Sequence, residues 1–130
     1  MSPADLQGLF QFVDRIFIHP VVADYIGRVV AASHRESERA PQSVKSYVRF
    51  GASPRAAIAI AGTSRALALM RGKPNVGFEE VRDVAPSALS HRLVLDYTAR
   101  LDAKDAASVV QDILAAVGEL TQPLPATVQA

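Results

Sequence analysis

The chain has 130 residues, a net charge of +1, 49% hydrophobic and 21% charged residues, and no cysteine. This length and balance fit one domain able to bury its own core, and they exclude wholesale disorder and a coiled coil. The lack of thiols excludes disulfides, thiol catalysis and thiolate zinc sites, and fits a reducing cytosol.

Ser2-Pro3 is a helix-start signal, and Leu6, Leu9, Phe10, Val13 and Phe17 recur at helical spacing, which predicts a first helix over 3–16. The His19-Pro20 step breaks it, and a second helix is expected from about residue 21, burying Val22, Ile26, Val29 and Val30 with Val21 and Tyr25 alongside. From 35 to 52 the periodicity lapses, which predicts a basic connecting loop with a brief extended piece over 44–50. Ser53-Pro54 repeats the start signal and opens the most apolar helix, 54–71, stopped by Gly72. Its run from Ala56 to Ala61 has almost no polar face, as expected of a helix packed on several sides.

After a turn at Lys73-Pro74-Asn75, a helix of about two turns is expected from Phe78 through Val84, with Glu79-Glu80 as acidic complement to its start. Pro86 predicts a kink or a fresh short helix over 86–89. Leu93, Val94 and Leu95 read as a short extended segment. Asp102 and Asp105 then cap a final helix burying Ala106, Val109, Val110, Ile113, Leu114 and Val117. The fold class is therefore all-α, a bundle of five or six helices over 1–119 with at most short extended segments, and the proline-bearing tail 120–130 is expected to be disordered. No apolar run approaches the length of a membrane span, and residues 1–20 lack a basic start followed by a long apolar stretch; the chain reads as cytoplasmic.

Charge is unevenly spread. Residues 31–72 hold seven bases, Arg35, Arg39, Lys45, Arg49, Arg55, Arg65 and Arg71, against Glu36 and Glu38, so an anionic ligand should be met by the middle third. Within it, Gly51-Ala52-Ser53-Pro54-Arg55 suits a phosphate. The glycine allows a sharp turn, the serine can cap open N–H groups, and the proline fixes the first helical turn. The arginine then leaves that turn beside the positive helix end, as a planar and permanently charged fork. Ala59, Gly62 and Ala66 continue below it as very small side chains, which permits close approach. The three histidines, His19, His34 and His91, show no metal-site spacing, and no nucleophile elbow surrounds Ser53 or Ser90.

Arg49-Phe50-Gly51-Ala52-Ser53-Pro54-Arg55-Ala56 resembles the lid segment of MoxR-type AAA+ ATPases that carries the sensor 2 arginine. Ser64-Arg65-Ala66-Leu67-Ala68 with Arg71-Gly72 resembles the rest of that family's helix and its stop, and Val76-Gly77-Phe78-Glu79-Glu80-Val81 resembles its valine-led turn into a helix. Ala85-Pro86, Leu89, His91-Arg92-Leu93 and Leu95 resemble its proline-kinked segment and His-Arg-Leu run. The resemblance is specific over 44–97 and looser over 1–30 and 104–117. Two positions depart from the pattern: Gly62 where a helix-favouring residue is expected, and Phe78 where a capping residue is.

The resemblance implies that Arg55 senses nucleotide, supported by the helix N-terminus of Gly51, Ser53 and Pro54, and that no catalytic residue lies in this chain. Neither a phosphate-binding loop nor a strand ending in the acidic pair that holds magnesium is present, so the chain alone is not expected to be an enzyme. The resemblance places ATP and magnesium on an N-terminal AAA+ α/β domain of the same protein, with neighbouring ring subunits and von Willebrand factor A-type proteins as partners in chaperone-like remodelling. The alternative is a free-standing basic module that binds nucleic acid or a protein through Arg35, Arg39, Lys45, Arg49 and Arg55. Only Tyr47 and Phe50 interleave those bases, which is poor for stacking on single strands, so nucleic acid is not the expected partner.

Overall fold

The structure, a computed structural model, describes residues 16–118. The helix expected over 3–16 and the tail expected over 120–130 fall outside the described residues, apart from Ile16. The described chain forms six helices and four very short strands: β1 (Phe17–Ile18), α1 (Pro20–Ala31), α2 (Gln42–Tyr47), β2 (Val48–Phe50), α3 (Pro54–Met70), β3 (Asn75–Val76), α4 (Phe78–Ser90), β4 (Val94–Leu95), α5 (Tyr97–Leu101) and α6 (Ala106–Ala116). The all-α expectation holds, with the strands confined to two clasps. β1 runs parallel to β3, and β2 runs antiparallel to β4 with Phe50 opposite Val94.

One core is shared by α1, α3, α4 and α6, with Tyr25, Val29, Ile60, Val81, Leu89, Val109, Val110 and Ile113 fully buried. α1 starts as the sequence suggests, and its cap is His19, whose Nδ1 accepts from the Val21 N–H at 3.2 Å. Tyr25, expected beside the buried stripe, lies within it and meets the Phe78 ring edge-on at 5.4 Å. α6 is capped by Asp105, which accepts from the Ser108 N–H at 2.9 Å. Ala106 and Leu114, expected on its buried side, are only half-buried.

Four expectations are corrected. The supposed loop over 35–52 contains α2, a helix of six residues held by one buried side chain, Val44; so short an element shows no periodicity. Only Val48–Phe50 of the expected extended piece is a strand. α4 continues through Pro86 as one helix to Ser90, longer than the two turns expected and with no fresh helix over 86–89. The bond that Pro86 cannot donate would go to the carbonyl of Arg82, an exposed position, while Val84, Ala85 and Leu89 are buried and hold the helix against the core. Asp102 does not open the last helix. It is the C-cap of α5, a helix the sequence reading lacked, and it accepts from the Tyr47 hydroxyl at 2.8 Å.

α3 crosses the middle of the domain but is not surrounded. Ala56, Ile60, Ser64 and Ala68, four apart, make its buried stripe, whereas Ile58 is 74% exposed. Its end is a glycine stop, as expected: Gly72 has φ +71°, its N–H bonds the Leu69 carbonyl, and the Lys73 N–H bonds that of Ala68.

Candidate functional site

Arg55 is the second residue of α3 and is exposed. The described ion pairs use Arg28, Arg71 and Lys73, and no described carboxylate pairs with Arg55. Pro54 occupies the first helical position, where its missing N–H removes nothing the helix needs. Ser53 stands at the N-cap with extended backbone, but its side chain makes no capping bond, contrary to the sequence expectation. The opening turn closes through backbone instead, the Ala56 N–H bonding the Ser53 carbonyl at 2.9 Å. A guanidinium and an uncapped helix start therefore face outward together, the combination that favours an anion.

The loop ahead of that turn is held from two sides. β2 pairs with β4, and the α2–β2 corner is tied to α5 by Asp96 N–H to Tyr47 O at 2.6 Å and Thr98 Oγ1 to Ser46 O at 3.2 Å. On the other side stands the turn that ends α1. Ser33, fully buried, accepts from the Ala52 N–H at 2.9 Å through Oγ, and His34 Nε2 lies 2.8 Å from the Ala52 carbonyl. Gly51 passes so close that a Cβ there would sit 2.6 Å from the Ser33 carbonyl oxygen. The glycine is thus needed for close approach; among the described residues Gly72 is the glycine with positive φ.

Below Arg55, Ala59, Gly62 and Ala66 are half-buried, and a Cβ on Gly62 would meet no described atom within 4 Å. Gly62 therefore faces open space rather than a neighbouring described helix. Arg49, exposed, lies over the exposed Phe50 ring at 5.3 Å from its centroid, and Arg65 donates from Nε to the Ile16 carbonyl at 3.2 Å.

The far end of α3, about 24 Å from Arg55 by helical rise, carries a charge cluster of which the sequence shows only the acidic helix start, Glu79-Glu80. Glu80 is fully buried; its Oε1 accepts from Lys73 Nζ at 2.6 Å and the Gly77 N–H at 2.9 Å, and its Oε2 from Arg71 Nη1 at 2.8 Å. Burial alone would push this carboxyl up, but Lys73, the Gly77 N–H and Arg71 outweigh it and hold it below the ordinary carboxylate value. Asp83 and then Glu80 raise Arg71, and Glu80 and then Glu79 raise Lys73, so the cluster stays ionised. It fastens the end of α3 to the start of α4 and thereby fixes the axis along which Arg55 is carried.

The structure thus gathers Gly51, Ser53, Pro54 and Arg55 into one outward-facing corner and adds Ser33 and His34, which the sequence reading did not assign. Their pairing with residue 52 is a tertiary contact with no local signature; the nearest hint was a hydroxyl just after an apolar helix.

Residues 40–113 match the AAA lid domain family. Over 117 residues the chain is 39% identical to Chaperone MoxR1 of Mycobacterium tuberculosis, covering 90% of this chain and 31% of that protein. It is 30% identical over 95 residues to the uncharacterized protein YeaC of Bacillus subtilis, covering 63% of this chain and 30% of that one. A crystal structure of a putative ATPase from Cytophaga hutchinsonii superposes with a TM-score of 0.80 at 28% identity, over 86% of this chain and 34% of that one. The chain therefore spans about a third of the length of each of these relatives.

Proposed function

This chain belongs to the AAA lid domains of MoxR-type AAA+ ATPases, and from that membership we propose that Arg55 reads the γ-phosphate of ATP bound by an N-terminal α/β domain of the same protein. The observation that carries the reading is the exposed Arg55 guanidinium on an uncapped helix start, with no described carboxylate as partner. Such a fork can make charge-assisted bonds to a terminal phosphate, and the helix start adds favourable dipole. Ile58, exposed one turn below, and the groove it forms with Ile18, Ile26, Ala57 and Ala61 supply an apolar face on which a nucleotide domain can seat.

Arg55 makes this contact with ATP and not with ADP, so the lid closes more firmly on ATP, and the difference is the free energy available to turn it. α3 transmits the change as a rigid rod, because Glu80 locks its far end to α4. In this reading magnesium is held with ATP by the α/β domain, and this chain supplies no ligand to it. In the whole protein the lid's rotation is coupled, through neighbouring subunits of a ring in the cytoplasm, to chaperone-like remodelling or maturation of protein complexes, with von Willebrand factor A-type proteins as candidate partners.

The test is steady-state ATP turnover of the whole protein carrying Arg55→Ala. Loss of a charge-assisted hydrogen bond at the phosphate is expected to lower kcat by about 10- to 100-fold. Arg55→Lys should recover only part, since an ammonium cannot reproduce the bidentate fork. Unchanged turnover in Arg55→Ala would remove the sensor role.

A further inference from the structure

The corner that launches Arg55 is gripped by two side chains from a distant part of the chain. α1 ends at Ala31, and the following turn is closed by the Ser33 N–H to Val30 O at 3.1 Å and the His34 N–H to Ala31 O at 3.1 Å, so Ser33 and His34 are themselves fixed to the helix end. Ser33 Oγ donates its one proton to the Val30 carbonyl at 2.6 Å, which turns an oxygen lone pair toward the Ala52 N–H at 2.9 Å. His34 Nε2 faces the Ala52 carbonyl at 2.8 Å and, since a carbonyl only accepts, carries its proton there. Ala52 is itself fully buried. Both peptide planes that flank Ala52 are therefore set, one through its N–H and the other through its C=O. Only Ser53 and the ring-restricted Pro54 separate that residue from Arg55.

We infer that Ser33 and His34 are positioning residues for Arg55, fixing the direction in which the guanidinium leaves α3. A loop held only by its own backbone could let the opening turn of α3 swing, and a small error in the position of a reacting or sensing group costs disproportionately in rate. The inference rests on the reading of Arg55 as the nucleotide sensor.

The experiment measures kcat and KM for ATP in the whole protein, with thermal melting alongside, for Ser33→Ala, Ser33→Thr, His34→Ala, His34→Gln, Arg55→Ala and the double variant Ser33→Ala/Arg55→Ala. Ser33→Ala and His34→Ala are each expected to lower kcat about 3- to 10-fold, as for a weakened version of the Arg55 contact. Ser33→Thr keeps the hydroxyl and His34→Gln keeps an N–H donor, so both should restore most of the loss. The double variant should turn over no more slowly than Arg55→Ala alone, because the grip acts only through that arginine. Wild-type kcat in Ser33→Ala and His34→Ala, with only melting lowered, overturns the inference while leaving the sensor reading intact. A further loss in the double variant, beyond Arg55→Ala, overturns it too. Wild-type turnover in Arg55→Ala removes the sensor reading and this inference with it. Should Ser33→Ala fail to fold, His34→Ala and its glutamine rescue decide the matter, since His34 is only half-buried.

Discussion

Glu80→Ala is expected to lower the unfolding free energy of the domain by about 3–5 kcal/mol, toward the lower figure, with the urea midpoint shifted and the slope unchanged. The carboxylate is fully buried and accepts from Lys73, Arg71 and the Gly77 N–H, so its removal takes away three charge-assisted or backbone bonds and leaves a void at the α3–α4 junction. The lower figure is favoured because Arg71 and Lys73 keep side-chain exposures of 40% and 35% and can turn to water, Arg71 retaining Asp83 at 2.6 Å. Glu80→Gln keeps the volume and one accepting oxygen but loses the charge, so it should cost less than alanine.

The same carboxylate makes stability depend on pH. Its folded-state value lies below the unfolded one, so the unfolded chain binds the proton more readily and the contribution is complete above the ordinary carboxylate value of 4.5. It is lost as pH falls below that value and through the folded one. Denaturation curves between about pH 7 and pH 3 should therefore converge for wild type and Glu80→Gln at the acid end.

Gly51→Ala is expected to destabilise the domain by about 1–3 kcal/mol and to slow ATP turnover in the whole protein. An added Cβ would lie 2.6 Å from the Ser33 carbonyl oxygen, 2.8 Å from its carbon and 2.9 Å from His34 Cγ. Two of those atoms are backbone at the end of α1, so the strain can be relieved only by moving the α1 end or by displacing Ala52 from its two partners. Gly62→Ala makes the opposite prediction. That glycine sits inside α3 with no described atom within 4 Å of a Cβ, so alanine should stabilise by about 1 kcal/mol through helix propensity alone. Chemical denaturation of the two variants side by side checks both signs. Equal behaviour would mean that the approach of Gly51 to Ser33 carries no steric demand.

Much of the fold could be read from local signals. His19-Pro20, Ser53-Pro54, Gly72 and Asp105 mark helix boundaries through constraints on φ and on the backbone N–H that act within a few residues, and α1, α3 and α6 lie where those signals put them. The failures share a different cause. α2 and α5 have six and five residues, too few to display a period; each buries one side chain, Val44 or Ala99, and the rest of what holds them is tertiary hydrogen bonding such as Tyr47 to Asp102. Pro86 disfavours a helix in isolation, but burial of Val84, Ala85 and Leu89 in the core overrides the loss of one bond.

The corner around Arg55 was likewise only half legible. Its four residues are consecutive, and their turn chemistry is local. Ser33 and His34 reach it from 18 or 19 positions away, and the glycine's purpose lies in what it passes rather than in its own φ. Glu80 looked like dipole complement because its partners, Arg71 and Lys73, precede a turn whose geometry the sequence does not announce.

Calorimetric binding of a non-hydrolysable ATP analogue and of ADP to the whole protein separates an arginine that reads the third phosphate from one that only decorates the helix start. Arg55→Ala should weaken the analogue by about 10-fold or more and leave ADP affinity unchanged. An equal loss for both nucleotides, or no loss for either, would show that Arg55 does not sense the γ-phosphate.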